Sequence, residues 1–350
     1  MLRISVFLAT ALGSLAAIGF VNWWLDPAGD RYFGGPVAAA LAHSPQCFVS
    51  VTVLKPPVWT SFKLDLFRRR KAATVVVGTS RVAKVGARAP GERFANLGVP
   101  GTGPAVVVGL FRRLHDEHPR PLTVYLGADT FWFKREWKDG VTFQPDRLGE
   151  LRRLLSAETA RETFDVLRRA PGAIRHPGAL RAWNISRFPR GCAVDEGSSV
   201  ADGTAQAWGP DGTLYFEPEL ARTPRERGAD LFFLFATKSP RLDGGRVEQL
   251  GEALQLAERW RWRVVGFLPP VSDGMRARIA GSPPLRAEVA RYRDVVPRLF
   301  ARHGFTFLDL LDVRSVPCRN DDFSFADGLH AGVACGQAIR ARLDAALSPP

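Results

Sequence analysis

Lysine is scarce in this chain. Only seven of the 48 basic residues are Lys, and the other 41 are Arg, spread along the whole length. The formal charge of +13 therefore reads mainly as an arginine-rich composition, with a modest pull toward anionic surfaces such as acidic polysaccharide or lipid headgroups. No basic–aromatic array or base-reading motif accompanies it, which excludes nucleic acid as the expected partner. Internal repeats and low-complexity tracts are also missing. The 46% hydrophobic and 24% charged residues suit one large α/β domain with embellishments, or two small domains. Cysteine is limited to Cys47, Cys192, Cys318 and Cys335, whose spacing forms neither a zinc ribbon nor a C-x-x-C pair. Neither a metal nor a cofactor is expected. In an oxidising compartment two disulfides are allowed: Cys318–Cys335 closing the last loop, and Cys47–Cys192 tying the N-terminal segment to an insertion. Four buried free thiols are the alternative.

Charge is absent from one long stretch. After Arg3, "ISVFLATALGSLAAIGFVNWWL" (Ile4–Leu25) holds 22 residues without an ionisable side chain. A helix rising 1.5 Å per residue covers a hydrocarbon core of about 30 Å with that length. Trp23 and Trp24 stand where an interfacial aromatic belt would lie, and Asp26-Pro27 ends the helix. A cleaved signal peptide is the other reading, but its apolar core is usually shorter and a small-x-small site follows it. An uncleaved single-pass anchor over 1–25 is therefore expected. Arg3 and the amino terminus would lie inside, so the body would sit outside the cytoplasmic membrane, in the periplasm or extracytoplasmic space.

The remainder reads as a lead-in segment, 26–70, packing on a body over 71–350. "ATVVVGTS" (73–80) is a short β-branched run bounded by Gly, the pattern of a strand buried on both faces. "RFANLGVPGTGP" (93–104) is a strand into a Gly/Pro loop, "AVVVGLFRRLHDEH" (105–118) has helical spacing, and "LTVYLGAD" (122–129) is a further buried strand. The alternation stops over about 130–235, where a helix (147–169) and a hairpin-like "WGPDGTLYFE" (208–217) read as an insertion. It resumes with helix 245–260, strand 262–270, helix 284–302, strand 305–310 and a terminal helix over about 332–346. The expected fold is α/β, a flavodoxin-like, three-layer, doubly wound parallel sheet of about five strands with an insertion after the third.

Ligands of such sheets bind outside the carboxyl ends of the strands. The sequence places Ser80 there, then Asn96 and Gly98, then Asp129, then Asp327 and His330. Ser80 by itself is either a helix cap or a nucleophile. A hydroxyl becomes a competent nucleophile when an imidazole takes its proton and a carboxylate orients that imidazole. Arg81, beside Ser80, is either solvated or a contact for an anionic acceptor. Trp132, just past the third strand, is either part of a sugar-stacking platform or core packing.

In order and spacing, "VVVGTSRV", "FANLGVPGTG" and "ADGLH" resemble the SGNH/GDSL hydrolase superfamily, particularly its membrane-anchored branch of cell-envelope polysaccharide O-acetyltransferases and the D-alanine-transfer protein of teichoic acids. The resemblance covers roughly 72–130 and 245–346. It implies Ser80 as nucleophile, His330 as base, Asp327 as its orienter, and the N–H groups of Ser80 and Gly98 as the oxyanion hole. Arg81, Asn96, Asp129 and Trp132 are then candidate substrate contacts. One block departs from the family: "GADT" puts Asp129 where hydrolytic members carry an oxyanion-donating Asn. The function implied is O-acyl transfer to, or ester hydrolysis on, a cell-envelope polysaccharide or small acyl ester, with a membrane-bound acyl-donor protein as partner. The alternative is a catalytically silent SGNH-fold scaffold that binds glycan.

Overall fold

The computed structural model describes residues 2–25, 38–39, 41–42, 49–50, 59–89, 91–140, 151, 154–169, 175, 206–209, 211–216, 241–318, 325 and 328–347. The body is built on five parallel strands: β2 (Thr74–Val77), β3 (Phe94–Asn96), β4 (Thr123–Gly127), β7 (Arg263–Leu268) and β8 (Thr306–Asp309). Their order across the sheet is β3-β2-β4-β7-β8, all parallel. This is the 2-1-3-4-5 order of a doubly wound sheet, whose switch point lies between the first and third strands in sequence.

The strands alternate faces with period two, and both faces are covered. Val75, Val77, Val124, Leu126, Val264 and Leu268 point into one apolar layer. That layer is closed by α3 (Pro104–Glu117), α5 (Gly244–Arg259) and α7 (Pro283–Arg302). Val76, Tyr125, Val265 and Phe267 point the other way, against Ile339 and Leu343 of α8 (Val333–Ala345). Continuous apolar strands are what a sheet buried on both faces demands. A short helix that the sequence did not signal, α6 (Asp273–Gly281), starts at Ser272, whose hydroxyl accepts from the Met275 N–H.

Trp59–Arg70 (α2) lies beside the edge strand β3, burying Phe62, Leu64, Leu66 and Phe67. After β4 comes the insertion. Its described parts are a helix, α4 (Ala157–Arg169), and a hairpin of β5 (Gln206–Trp208) and β6 (Leu214–Phe216). The hairpin is not separate from the rest: β5 pairs antiparallel with β1 (Val49–Ser50), making a second, three-stranded sheet. At the N-terminus, α1 (Leu2–Leu25) is a 24-residue helix with exposed Ile4, Phe7 and Leu12. Cys318 and Cys335 are joined, tying the start of α8 to the loop before it. Cys47 and Cys192 lie outside the described residues. An N-terminal apolar helix together with a disulfide suggests an extracytoplasmic location.

Gly266 in β7 packs against the Phe300 ring, and a Cβ there would sit 2.3 Å from Phe300 Cε1. Gly266→Ala is expected to lower stability by about 1–3 kcal/mol through overpacking. Gly251→Ala, where the nearest atom would be Leu299 Cδ1 at 3.6 Å, should be neutral or better, because Ala is the stronger helix former. Urea unfolding followed by tryptophan fluorescence measures both.

Candidate active site

The site begins with a packing device. Val82 sits where β2, β3 and β4 end, against three glycines. A Cβ would lie 3.0 Å from its methyl carbons at Gly78, 2.6 Å at Gly98 and 2.3 Å at Gly127. Any side chain at these positions would lift Val82, and with it the turn that carries Ser80. That turn is a 3-10 helix, Ser80–Val82, and its N-cap is Thr79, whose hydroxyl accepts from the Arg81 N–H. The capping role open to Ser80 is thus filled by its neighbour. Ser80 Oγ lies 2.7 Å from His330 Nε2, across 250 residues of chain, and both side chains are half-buried. Among the described residues the Ser80 N–H donates to no acceptor, as the first turn of a helix leaves it. Asp327 lies outside the described residues.

Asp129, at the end of β4, is fully buried, and both its oxygens are engaged. One accepts from the Thr79 hydroxyl at 2.6 Å, and the other is paired with Arg81 Nη1. Arg81, 3% exposed, also donates from Nη2 to the carbonyls of Pro269 and Pro270, at 2.7 and 2.8 Å. Its Nε donates to the Leu329 carbonyl at 3.3 Å, next to His330. One guanidinium therefore joins the Ser80 turn, the β4 end, the β7 end and the His330 loop. Neither expectation for Arg81 holds: it is not solvated, and its donors are turned inward, away from any acceptor. The Asp129 carboxylate is likewise spent, which removes the conflict with an oxyanion that its position in "GADT" suggests. On the far side of this turn the Tyr292 hydroxyl donates to the Ala128 carbonyl at 2.5 Å. Burial and the nearby Asp129 push that phenol well above its ordinary range.

The second loop is held from the other direction. Asn96 is buried and donates to the carbonyls of Val82 and Val85, both at 2.9 Å. Its Oδ1 accepts from the Gly98 N–H at 2.8 Å. Gly98, expected to donate to an oxyanion, therefore has its N–H committed within its own loop. Asn96 contacts no open surface and acts as a staple between the first two loops. Below it, the buried Lys63 ammonium of α2 donates to the Asn96 carbonyl (3.1 Å), to Asn96 Oδ1 (3.3 Å) and to the Gly212 carbonyl of the hairpin (3.0 Å). Asp211 completes this corner: its carbonyl accepts from Asn96 N and its carboxylate from Ala87 N, each at 2.7 Å. Burial lowers Lys63 from 10.5 to about 7, against the opposing pull of Asp211.

Trp132 is fully buried in the main core layer, not exposed for stacking on a sugar. A tryptophan in "TFWF" satisfies both readings locally; the 3-10 turn Thr130–Phe133 folds it inward. Sequence reasoning missed Thr79, Lys63 and Tyr292. Only Lys63 left a trace, as a lone cation amid the apolar residues of "WTSFKLDLF". Among the described residues no cluster of three or more His, Cys, Asp or Glu could hold a metal. No family model matches the chain, and no curated protein matches it.

Breaking the Arg81–Asp129 pair from one side leaves a buried charge alone. Arg81→Met is expected to cost about 3–5 kcal/mol, and adding Asp129→Asn should recover part of that loss; urea unfolding of the three variants tests this. Lys63 makes a pH-dependent contribution. Between about 7 and 10.5 the unfolded chain holds a proton that the folded chain has released, so stability rises with pH across that window. Below it both states are protonated and the slope vanishes. The difference in unfolding free energy between the native chain and Lys63→Met should therefore be flat from pH 5 to about 6.5 and grow from about 7 to 10.

Proposed function

We propose that the chain is a membrane-anchored SGNH-fold enzyme that transfers or hydrolyses O-acyl groups on a cell-envelope polysaccharide. The observation that carries this reading is the 2.7 Å approach of Ser80 Oγ to His330 Nε2 at the carboxyl edge of the sheet. Ser80 attacks the acyl carbonyl carbon as His330 Nε2 takes its proton. The developing oxyanion is received by the Ser80 N–H. His330 then gives its proton to the departing oxygen, leaving an acyl-serine. A sugar hydroxyl or water, deprotonated in turn by His330, attacks that ester and returns Ser80 to its starting state. Asp327, three residues before His330, is assigned the part of fixing the imidazole tautomer.

The anchor reading draws support from Asn22. This polar residue in the apolar helix α1 is 2% exposed. Its amide donates to the Leu154 carbonyl at 2.6 Å and accepts from the Thr163 hydroxyl at 2.6 Å. A leader destined for removal has no use for partners in the body. The helix is long and apolar enough over Ile4–Leu25 to cross a bilayer. We therefore read the chain as single-pass in the cytoplasmic membrane, its body in the periplasm or extracytoplasmic space. There a membrane-bound donor protein could supply the acyl group.

A second reading, a catalytically silent scaffold of the same fold, is favoured by one observation: with Gly98 N–H bound to Asn96, the oxyanion is left one donor short. A missing donor costs about 100- to 1000-fold in rate. A serine-directed fluorophosphonate separates the two. Native protein should be labelled at Ser80, Ser80→Ala should give none, and His330→Ala should label at least about 100-fold more slowly. A folded native protein that takes no label sinks the enzymatic reading and leaves the scaffold.

A further inference from the structure

His330 lies inside a covalent ring. The Cys318–Cys335 bond closes it over a sequence separation of 17, and Cys335 stands five residues past His330, in the first turn of α8. One end of the ring is firm. Val313 and Val316, just before Cys318, are buried in the same apolar layer as Ile339 and Leu343. The other end is weak by itself. Gly332 caps α8 without a side-chain hydrogen bond, and a second glycine, Gly336, follows within the helix. Glycine is the poorest helix former after proline, so this start holds poorly on local terms. Close packing explains Gly336: a Cβ there would stand 2.1 Å from the Lys84 carbonyl oxygen, two residues past the turn that carries Ser80. Gln337 Nε2 adds a bond to the Ala87 carbonyl at 3.2 Å. The start of α8 therefore presses on the segment bearing the serine, and the chain leading into it bears the histidine.

We infer that the Cys318–Cys335 disulfide positions His330 against Ser80, so that reduction of the bond switches the site off. The inference rests on the reading of Ser80 and His330 as an acyl-transfer pair. Ser80 does not depend on the bond, because its turn is held by Thr79, by Arg81 and by Asn96 at the strand ends. Upstream of His330 the Gly328 carbonyl accepts from Ser272 N at 2.9 Å. The Leu329 carbonyl accepts from Arg81 Nε at 3.3 Å, the longest of that guanidinium's bonds. Downstream, the place of His330 depends on where α8 begins, and the disulfide fixes that. A general base works only within hydrogen-bond reach, and a misplacement of about 1 Å costs about 100-fold in rate.

The switch is thiol–disulfide exchange. A thiolate attacks Cys318 Sγ, which is half-buried, in preference to Cys335, which is 1% exposed. The S–S bond breaks, Cys335 leaves as a thiolate and takes a proton, and a mixed disulfide remains on Cys318. A second thiol attacks the outer sulfur of that mixed disulfide and releases Cys318 as a thiol. Two electrons have then passed from two thiols, now joined as a disulfide, to the cysteine pair. Formation runs the same steps backward, with a disulfide-bearing exchange partner taking the electrons. Reducing compartments keep such pairs as dithiols. The chain is thus inert when made and gains a competent base once its body reaches an oxidising compartment.

The test uses full-length Cys47→Ser, Cys192→Ser protein in detergent, where Cys318 and Cys335 are the sole cysteines. Labelling by a serine-directed fluorophosphonate is followed before and after treatment with dithiothreitol. Reduction should slow labelling of Ser80 at least about tenfold, and glutathione disulfide should restore it. With His330→Ala added, reduction should change the residual labelling less than about twofold, because a bond acting through His330 has nothing left to act on. Cys318→Ser with Cys335→Ser should label as slowly as the reduced protein, with Cys47 and Cys192 untouched. Equal labelling of the oxidised and reduced forms would overturn the switch and leave the enzymatic reading standing. An equal loss with and without His330 would overturn it too, as would loss of the folded body's tryptophan fluorescence on reduction, since the bond would then hold the whole domain. Oxidised protein that takes no label would overturn the enzymatic reading and the switch with it.

Discussion

A buried arginine holds the carboxyl edge of this sheet together. The Arg81 guanidinium lies where water cannot reach it, and an unpaired charge there would be intolerable. The chain meets that demand with one carboxylate and three carbonyls, drawn from three separate loops. Because each partner is needed to offset desolvation, none of the loops can move without exposing a charge to an empty site. The Ser80 turn, the ends of β4 and β7 and the Leu329–His330 loop are therefore fixed relative to one another. The short Ser80–His330 contact is a product of this constraint. Two consecutive prolines at 269 and 270 suit the arrangement, since neither brings an N–H that would have to be satisfied in the same crowded space.

A second set of ties works from the other side of the loops. Lys63 from the segment before the sheet, Asn96 from the second loop and Asp211 from the insertion form one buried polar corner. Three parts of the chain that look independent in sequence meet within it. The insertion is thus fastened at its hairpin to the loops of the site. At its helix α4 it is fastened to α1, through Asn22 and Thr163.

Local signals explain what could be read in advance. β2, β4 and β7 are runs of β-branched and apolar residues, the first two ending at glycine and the third at Pro269-Pro270, and that pattern needs no partner to be visible. The apolar helix over Ile4–Leu25 is similarly plain, since uncharged length is a property of the string alone. Thr79 as the cap, by contrast, could not be separated from Ser80 as the cap, because both residue types perform that task. Trp132 was ambiguous for a related reason: an aromatic body suits a core and a sugar platform alike, and only the direction of the turn decides. Gly98 was assigned a free N–H by position in a motif, whereas its hydrogen bond depends on where the Asn96 side chain points.

By itself the sequence determined the class of fold, the apolar N-terminal helix, and the residue types gathered at the carboxyl edge of the sheet. These follow from periodicity, length and the rule that strand ends of a parallel sheet converge. Only the tertiary structure decided that Arg81 faces inward and not toward a ligand, that Asp129 is its counter-ion, and that Lys63 belongs to the same edge. The reason is that partnership among buried polar groups is set by three-dimensional proximity under desolvation, and no one-dimensional pattern encodes which of 41 arginines will be sealed from water.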